Sequence, residues 1–264
     1  MEPIVTKILA GDKKALKELV QDIQKNIYNL SLRFLWTKED AEDATQEILV
    51  KVITNLAKFE GNSKFTTWVY RIAVNHLLNL RKNKLERQLS FSVFGEDLIN
   101  GLQSHSYDLP DQNLLAEEIK IGCTLGMLLC LDRDLRIAYI LGEVFELKSS
   151  EAGDILGITA ENFRKRLSSA RIELRDFMSS YCGLTNKANA CRCNKRINYG
   201  ILTGRVKKNN LNFVSADTLA NSKTEMEKLY SSSAIFKSHP TFIIKEEKSN
   251  EILNIVGNLK DILR

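Results

Sequence analysis

The chain has 264 residues, of which 44% are hydrophobic and 27% charged, with only 3 prolines and 13 glycines. This composition is typical of a folded, helix-rich protein and excludes a chain that is disordered over most of its length. The net charge of +5 fits a polyanionic partner but does not by itself identify one. The N-terminal stretch lacks the segments of a signal peptide, and no apolar run is long enough to span a membrane. We therefore expect a cytoplasmic protein whose thiols are reduced.

A helical period begins near Ala15 and continues to Leu85. Its clearest part is "TKEDAEDATQEILVKVITNLAKF", in which Thr37 can cap a helix whose first turn is acidic. The apolar residues of this helix share one face, which we expect to be buried: Ala41, Ala44, Ile48, Val52 and Leu56.

The stretch "FEGNSKFTTWVYRIAVNHLLNLRKNK" interleaves aromatic and cationic residues. A helical period places Phe65, Val69, Ile72, Ala73, His76 and Leu80 on one face and Thr67, Tyr70, Arg71, Val74, Asn75 and Arg81 on the other. Aromatic rings among cations are typical of surfaces that bind unpaired nucleic acid. The alternative is that the rings belong to the core. We favour the core for Phe65 and leave both interpretations open for Trp68 and Tyr70.

The remainder of the chain divides into a linker, a second helical block and a basic tail. "SFSVFGEDLINGLQSHSYDLPDQN" has no helical period and carries Gly95, Gly101 and Pro110, so we interpret it as a linker. Helical patterning returns and lasts until Met178. The tail predicts two more helices, Ala216–Phe236 and Glu246–Leu263. Because no paired strands are predicted, we expect an all-α fold.

The second block contains the pattern of a helix-turn-helix, "LKSSEAGDILGITAENFRKRLSSARIELRDF". Ser149 or Ser150 can cap a short helix, and Gly157 stands where its end needs a left-handed residue. Thr159 can cap the next helix through the amide near Asn162. In that helix an apolar face is predicted for Phe163, Leu167, Ala170, Leu174 and Phe177, and an outward face for Glu161, Lys165, Ser168 and Ile172. The alternative is an ordinary helical hairpin with a solvated charged face.

Two segments together resemble the extracytoplasmic-function (ECF) group of bacterial RNA polymerase sigma factors. "DAEDATQEILVKVITNLAKFEGNSKFTTWVYRIAVNHLLNLRK" is similar to region 2 of that group, and "LRIAYILGEVFELKSSEAGDILGITAENFRKRLSSARIEL" to region 4. They stand in the family's order and cover roughly Leu9–Met178. The resemblance implies two helical domains, a region 2 helical bundle at 1–88 and a region 4 helix-turn-helix at 113–180, with a linker at 89–112. A helical, Cys-containing extension at 181–264 follows, for which we expect a regulatory role.

The resemblance also implies what individual positions do. Core-polymerase binding falls on an acidic-polar stripe of five residues: Asp40, Asp43, Gln46, Glu47 and Val50. Single-stranded DNA of the −10 element would meet Asn62, Ser63, Lys64, Trp68, Tyr70, Arg71, Asn75 and Arg81. The recognition helix for the −35 element would present Thr159, Glu161, Asn162, Arg164, Lys165, Arg166 and Ser169. Its sequence "ENFRKR" departs from the family's frequent Gly-Thr-Val-Lys-Ser-Arg, so the promoter sequence cannot be inferred from relatives.

The implied function is to bind core polymerase, recognise both promoter elements and assist promoter melting. An alternative is a helix-turn-helix regulator that binds duplex DNA without polymerase. An enzyme is not predicted, because the chain shows no phosphate-binding loop, no paired carboxylates and no Ser/His/Asp set. We therefore expect no catalytic residues and no required cofactor. Further partners implied are an anti-sigma factor or, in its place, self-inhibition by the extension.

The extension begins with three cysteines in "CGLTNKANACRC": Cys182, Cys191 and Cys193. Zinc or another thiophilic metal is one interpretation, although a fourth ligand such as His239 is needed. A redox switch and three unrelated thiols are the others. The neighbouring cations Arg192, Lys195 and Arg196 are expected to lower the thiol pKa values. For Cys123 and Cys130 we expect burial within helices. Our hypothesis is a Cys knot that holds the C-terminal helices against the DNA-binding domains and so limits activity.

Overall fold

The structure is a computed structural model that describes residues 3–102, 107–214 and 231–258. Its described residues form helices and no β-strand, which confirms the all-α prediction. None of these helices is both long and apolar enough to cross a membrane. In chain order the helices are α1 (Pro3–Leu9), α2 (Lys13–Leu35), α3 (Lys38–Thr54), α4 (Phe65–Asn79), α5 (Lys84–Gln88), α6 (Phe91–Asn100), α7 (Gln112–Cys130), α8 (Arg133–Tyr139), α9 (Ser149–Leu156), α10 (Ala160–Tyr181), α11 (Ile197–Leu202), α12 (Ser232–Lys237) and α13 (Glu246–Asn258).

The chain forms two compact units that are each assembled from separate stretches. Unit 1 combines Met1–Arg81, Leu147–Phe163 and Thr241–Arg264, whereas unit 2 combines Lys82–Glu146 and Arg164–Pro240. These units cut across the predicted ranges 1–88, 89–112, 113–180 and 181–264, whose boundaries stay a prediction.

Unit 1 is built on α2, α3 and α4. Asp12 caps α2, since its side chain accepts hydrogen bonds from the backbone N–H groups of Lys14 and Ala15 at 2.9 and 3.1 Å. Thr37 occupies the cap position of α3 as predicted, but it makes no capping hydrogen bond there. The predicted apolar face of α3 is buried at every position, Ala41, Ala44, Ile48, Val52 and Leu56. This face packs against α2 and α4 and so turns the polar residues of α3 outward.

The predicted outward face of α4 is wrong at two of its positions, whereas Arg71 and Asn75 are exposed as predicted. Thr67 and Val74, which the helical period places on the outward face, are buried with 6% and 1% exposure. The reason is that α9, from a distant part of the chain, packs against α4 within unit 1. Periodicity within one helix cannot show that a second element covers its other side.

The turn between α9 and α10 follows the local sequence closely. Gly157 ends α9 in the left-handed conformation with φ 65°, as predicted. The Thr159 side chain accepts a hydrogen bond from the backbone N–H of Asn162 at 3.1 Å, which confirms the predicted cap. The start of α9 is different: Ser149 is its first residue, and Lys148 occupies the cap position without a side-chain capping bond.

Unit 2 contains a helix where the sequence shows no helical period. Helix α6 lies within the predicted linker and begins at a cap, in which Ser90 Oγ accepts from the Val93 N–H at 3.3 Å. Gly95, which suggested a loop, has a packing role instead. A Cβ atom there would lie 2.6 Å from the Tyr181 ring, so only glycine permits this approach.

The basic start of the extension packs onto α6 and α7 in the same unit. Asp97 of α6 binds Arg196 and Arg205 at 2.8 and 2.6 Å. Glu118 of α7 accepts hydrogen bonds from three successive backbone N–H groups, those of Asn212, Phe213 and Val214. Two carboxylates therefore hold a stretch that carries no acidic residue of its own.

The later part of the tail agrees in part with the two predicted helices. Residues 216–230 of the predicted helix Ala216–Phe236 lie outside the described residues, and the short helix α12 overlaps its end. The second predicted helix is present as α13, which packs against α2 and α3 in unit 1. Residues 259–263 of that prediction also lie outside the described residues.

Candidate functional site

The acidic-polar stripe lies on the outward side of α3, opposite the buried apolar face. Asp40, Asp43 and Glu47 are exposed, while Gln46 and Val50 are half-buried. The described structure therefore brings all five predicted polymerase-binding residues onto one surface of unit 1. Because the opposite face is buried, the stripe is held by a rigid helix rather than by a loop.

Two residues of the stripe already have neighbours within unit 1. A carboxylate oxygen of Asp43 lies 3.9 Å from the Lys248 ammonium group of α13. A carboxylate oxygen of Glu47 lies 3.7 Å from His76 Nε2. The pKa of His76 is lowered by burial and by Lys51, whose ammonium group lies 2.6 Å from His76 Nδ1. The lowered pKa favours the neutral form of His76, as expected for a core histidine, and the Glu47 side chain is exposed where a cationic partner can reach it.

The aromatic residues before and within α4 form a packed cluster. Ring centroids of Phe59 and Phe65 lie 5.2 Å apart, and Trp68 lies 5.5 Å from Phe59 and 5.7 Å from Phe65. Phe65 is buried, which confirms the core interpretation for this residue. Trp68 supports the cluster from one side and remains half-exposed, so it is placed both to pack and to meet a ligand.

Two predicted −10 residues contact α9, and a third, Tyr70, lies within its electrostatic range. The Arg71 guanidinium donates to the Asp154 carbonyl oxygen at 3.2 and 2.8 Å. The Lys64 ammonium group lies 3.8 Å from a Glu151 carboxylate oxygen. Burial, with a smaller contribution from Glu151, raises the pKa of Tyr70 to about 12. The described structure thus shows the predicted −10 surface partly covered by its own chain.

The other predicted −10 residues are accessible. Asn62, Asn75 and Arg81 are exposed, and Ser63 is half-buried. Asn62 donates a hydrogen bond to the neighbouring Glu60 carboxylate at 2.9 Å, next to Ser63 and Lys64 of the predicted −10 surface.

The recognition helix α10 presents most of its predicted residues to solvent. Its inward row is buried as predicted, and exposed side chains include Glu161, Asn162, Arg164, Lys165 and Ser169. Arg166 is half-buried because its guanidinium pairs with Asp134 at 2.9 Å within unit 2. The charged face of α10 therefore remains accessible near its N-terminal end, the end that a reading helix directs at base edges.

The predicted metal site consists of the three thiols of the extension, Cys182, Cys191 and Cys193. Among the described residues, no group of three or more His, Cys, Asp and Glu side chains could hold a metal ion. His239, the suggested fourth ligand, instead bonds to Thr124 Oγ1 at 2.7 Å. The metal hypothesis for Cys182, Cys191 and Cys193 gains no support from these positions and stays a prediction. Metal analysis of protein purified without chelator tests it.

The cations next to these thiols act in the predicted direction, but burial outweighs them, so the predicted net lowering of the thiol pKa values is wrong. Burial raises the pKa of Cys191 to about 11, and it also raises the pKa values of Cys182 and Cys193. Arg192 opposes this effect on Cys182 but does not outweigh it. Sequence reasoning also missed that Cys123 of α7 lies within electrostatic range of all three thiols, because no spacing rule links it to them.

Comparison with known proteins identifies the family of this chain. The family described as Sigma-70 region 2 matches residues 19–86, which include α2, α3 and α4. The ECF RNA polymerase sigma factor SigW of Bacillus subtilis is 30% identical over 177 residues, which are 65% of this chain and 92% of the relative. The chain belongs to the ECF RNA polymerase sigma factor family. The ECF sigma-E factor of Haemophilus influenzae is 29% identical over 64% of this sigma factor and 90% of its own length.

Among solved structures, CnrH in complex with the cytosolic domain of CnrY aligns with a TM-score of 0.49 and 17% identity. That alignment covers 67% of this sigma factor and 96% of CnrH.

Proposed function

We propose that this sigma factor binds core RNA polymerase through the acidic-polar stripe of α3. The observation that carries the proposal is the position of the stripe. It lies on the outward side of a helix whose opposite face is wholly buried, within the range that matches Sigma-70 region 2. An acidic surface of this kind favours a partner surface rich in Lys and Arg, since opposite charges steer and orient association.

The bound polymerase would then be directed to promoters by two DNA-binding surfaces. The loop Glu60–Lys64 and α4 would bind the −10 element as single strands and so assist promoter melting, because cations hold the backbone and Trp68 offers a stacking face. The N-terminal part of α10 would enter the major groove at the −35 element. This action needs binding alone and no catalytic group, and it places the protein in the cytoplasm with its polymerase.

The domain boundaries of this proposal are those drawn from the sequence. Residues 1–88 act as region 2 and 113–180 as region 4, while 89–112 connect them and 181–264 regulate them. The match to residues 19–86 supports the first of these ranges. An anti-sigma factor remains a further proposed partner.

The substitution Glu47→Lys tests the polymerase-binding surface. Glu47 is exposed, so the change costs little stability, but it places a cation where the partner is expected to be cationic. We expect a loss of roughly 1–3 kcal/mol in affinity for core polymerase, which fluorescence anisotropy can measure without DNA. Glu18→Lys, the same charge change on the exposed part of α2, is the matched control and should bind as the wild type does.

Two outcomes would count against the proposal. Equal affinities of the Glu47→Lys and Glu18→Lys variants would remove the stripe from the polymerase contact. If the wild type itself neither binds core polymerase nor supports transcription from any fragment of a promoter library, the sigma-factor mechanism fails. A duplex-only regulator would then remain, since it needs no polymerase to bind DNA.

A further inference from the structure

The segment 241–258 of the extension packs on α2 and on α3, the helix that carries the proposed polymerase contact. It enters unit 1 at Phe242, which is 5% exposed, and continues as α13, which contacts both α2 and α3. Ile252 of α13 is fully buried. This C-terminal segment, residues 241–258, is called the tail segment below.

The anchor of the tail segment is a two-way clamp on its backbone. Asn29 of α2 donates from Nδ2 to the Phe242 carbonyl oxygen at 2.8 Å and accepts from the Phe242 N–H at 2.9 Å. The Arg33 guanidinium stands over the Phe242 ring, 4.6 Å from its centroid, and donates to Asn29 Oδ1 at 2.7 Å. Phe242 is thus bound through both its backbone and its ring. Such a contact is specific for this residue and is more than loose packing.

The surface under the tail segment contains buried polar side chains beside apolar ones. Gln24, Asn29 and Arg33 are all buried side chains of α2, and Gln24 Oε1 accepts a hydrogen bond from Ser249 Oγ at 3.1 Å. A contact that never opens is usually apolar, like a domain core cut in half. Amide and guanidinium groups can instead be hydrated when uncovered, so this surface is compatible with both a covered and an open state.

The tail segment also brings positive charge to the acidic side of α3. Lys248 lies 3.9 Å from Asp43, a residue of the stripe, and both Lys245 and Lys248 act electrostatically on Glu42. A helix with its side chains is about 10 Å wide, so α13 is a steric neighbour on the Asp43 side of the stripe, while Asp43 itself remains exposed. Its lysines also meet the charges that a cationic partner would use.

We propose that the tail segment is an internal competitor of core RNA polymerase for the stripe of α3, so that the sigma factor is held inactive until the segment leaves. This proposal rests on the proposed function, because it takes the stripe as the polymerase contact. Covalent attachment gives the segment an effective concentration on the order of millimolar, so a weak contact is sufficient. If it occupies the surface about nine-tenths of the time, the apparent affinity for polymerase falls about tenfold.

The sharpest test compares substitutions at two adjacent positions of the full chain, Phe242 and Ile243. Phe242→Asp places a charge in the buried anchor, whereas Ile243→Asp makes the same change at a side chain that is 78% exposed. We expect Phe242→Asp to bind core polymerase about tenfold more tightly than the wild type, and Ile243→Asp to bind as the wild type does. Lys248→Glu, a surface change that repels Asp43, should produce a smaller gain in the same direction.

A synthetic peptide of residues 241–258 provides the second measurement. Added in excess to the Phe242→Asp variant, it should lower polymerase binding again, and a peptide with Phe242→Asp should not. If polymerase binds the wild type and all three variants equally and the peptide has no effect, competition by the tail segment is overturned. If Phe242→Asp perturbs folding, the Lys248→Glu variant and the peptide added to the wild type still test the proposal. It is rejected if Lys248→Glu does not bind polymerase more tightly and the peptide does not inhibit polymerase binding. Failure of every protein to bind polymerase would reject the proposed function instead.

Discussion

Helices α4 and α10 carry similar patterns of exposed cations but differ in what lies against them. On α10, Asn162 and Lys165 are exposed at the predicted reading surface. On α4, Lys64 and Arg71 contact α9 of the same unit. A row of cations on a helix therefore identifies a surface made for polar contacts, while the identity of the partner depends on the tertiary structure.

The contacts on α4 are of a kind that DNA could replace. The pair between Lys64 and Glu151 is separated by 3.8 Å and largely exposed on the lysine side, so it contributes little. Arg71 donates to a backbone carbonyl, and a phosphate oxygen accepts the same hydrogen bonds more strongly because it is charged. The two helices thus differ in the contacts that their cations make within the chain, and DNA binding by either helix stays a prediction.

The largest expected effects belong to α10, where Lys165→Ala and Arg166→Ala should differ in kind. Lys165 is exposed at the groove-facing position, so its loss should change base preference at one or two positions, each by roughly 1–3 kcal/mol. Arg166 lies at the flank and is held by Asp134, so its loss should weaken binding to all sequences and reduce the salt dependence by about one phosphate contact.

Selection of −35 sequences by each α10 variant, together with binding at several salt concentrations, separates these outcomes. The same shift in base preference for both variants would show that the two residues face DNA alike. Lys165 would then not be the groove-facing residue and Arg166 not the flanking one.

The elements that sequence reasoning predicted correctly are those fixed by neighbouring residues. Gly157 and Thr159 act within one turn of where they stand, and the buried row of α3 follows from one helical period. The burial of Thr67 and Val74 was not predictable in this way, because it depends on α9 from a distant part of the chain.

Helix α6 shows how a correct local rule can mislead. Gly95 lowered the expectation of a helix, yet its missing side chain is what allows the Tyr181 ring to approach. Phe91 and Phe94 also pack on Phe177 with ring centroids 5.0 and 5.9 Å apart. Packing against α10 thus stabilises a helix that propensity alone does not favour. The tail segment on α2 is a second case, since nothing near Asn29 in sequence indicates Phe242 as its partner.

An effect of intermediate size on stability is expected for Thr159→Ala, which removes the cap of α10. The change eliminates the hydrogen bond to the Asn162 N–H, so the free energy of unfolding should fall by about 1 kcal/mol. Urea denaturation followed by circular dichroism measures the loss. Thr159→Ser keeps the hydroxyl and should retain most of the stability, whereas equal losses in both variants would mean that the methyl group and not the cap is responsible.

The smallest effect is expected for Glu151→Lys on α9, which tests whether α9 restricts access to α4. The substitution replaces an attraction to Lys64 by a repulsion and so weakens the α9 contact with α4 by about 0.5 kcal/mol, the scale of a surface ion pair. A weaker contact leaves α4 uncovered more often, and a random-sequence single-stranded oligonucleotide should bind about twofold more tightly. Because Glu151→Lys also adds positive charge, Glu18→Lys must be measured beside it and at more than one salt concentration. An equal gain in both variants would be a general charge effect, and an unchanged affinity of Glu151→Lys would show that α9 does not restrict the access of DNA to α4.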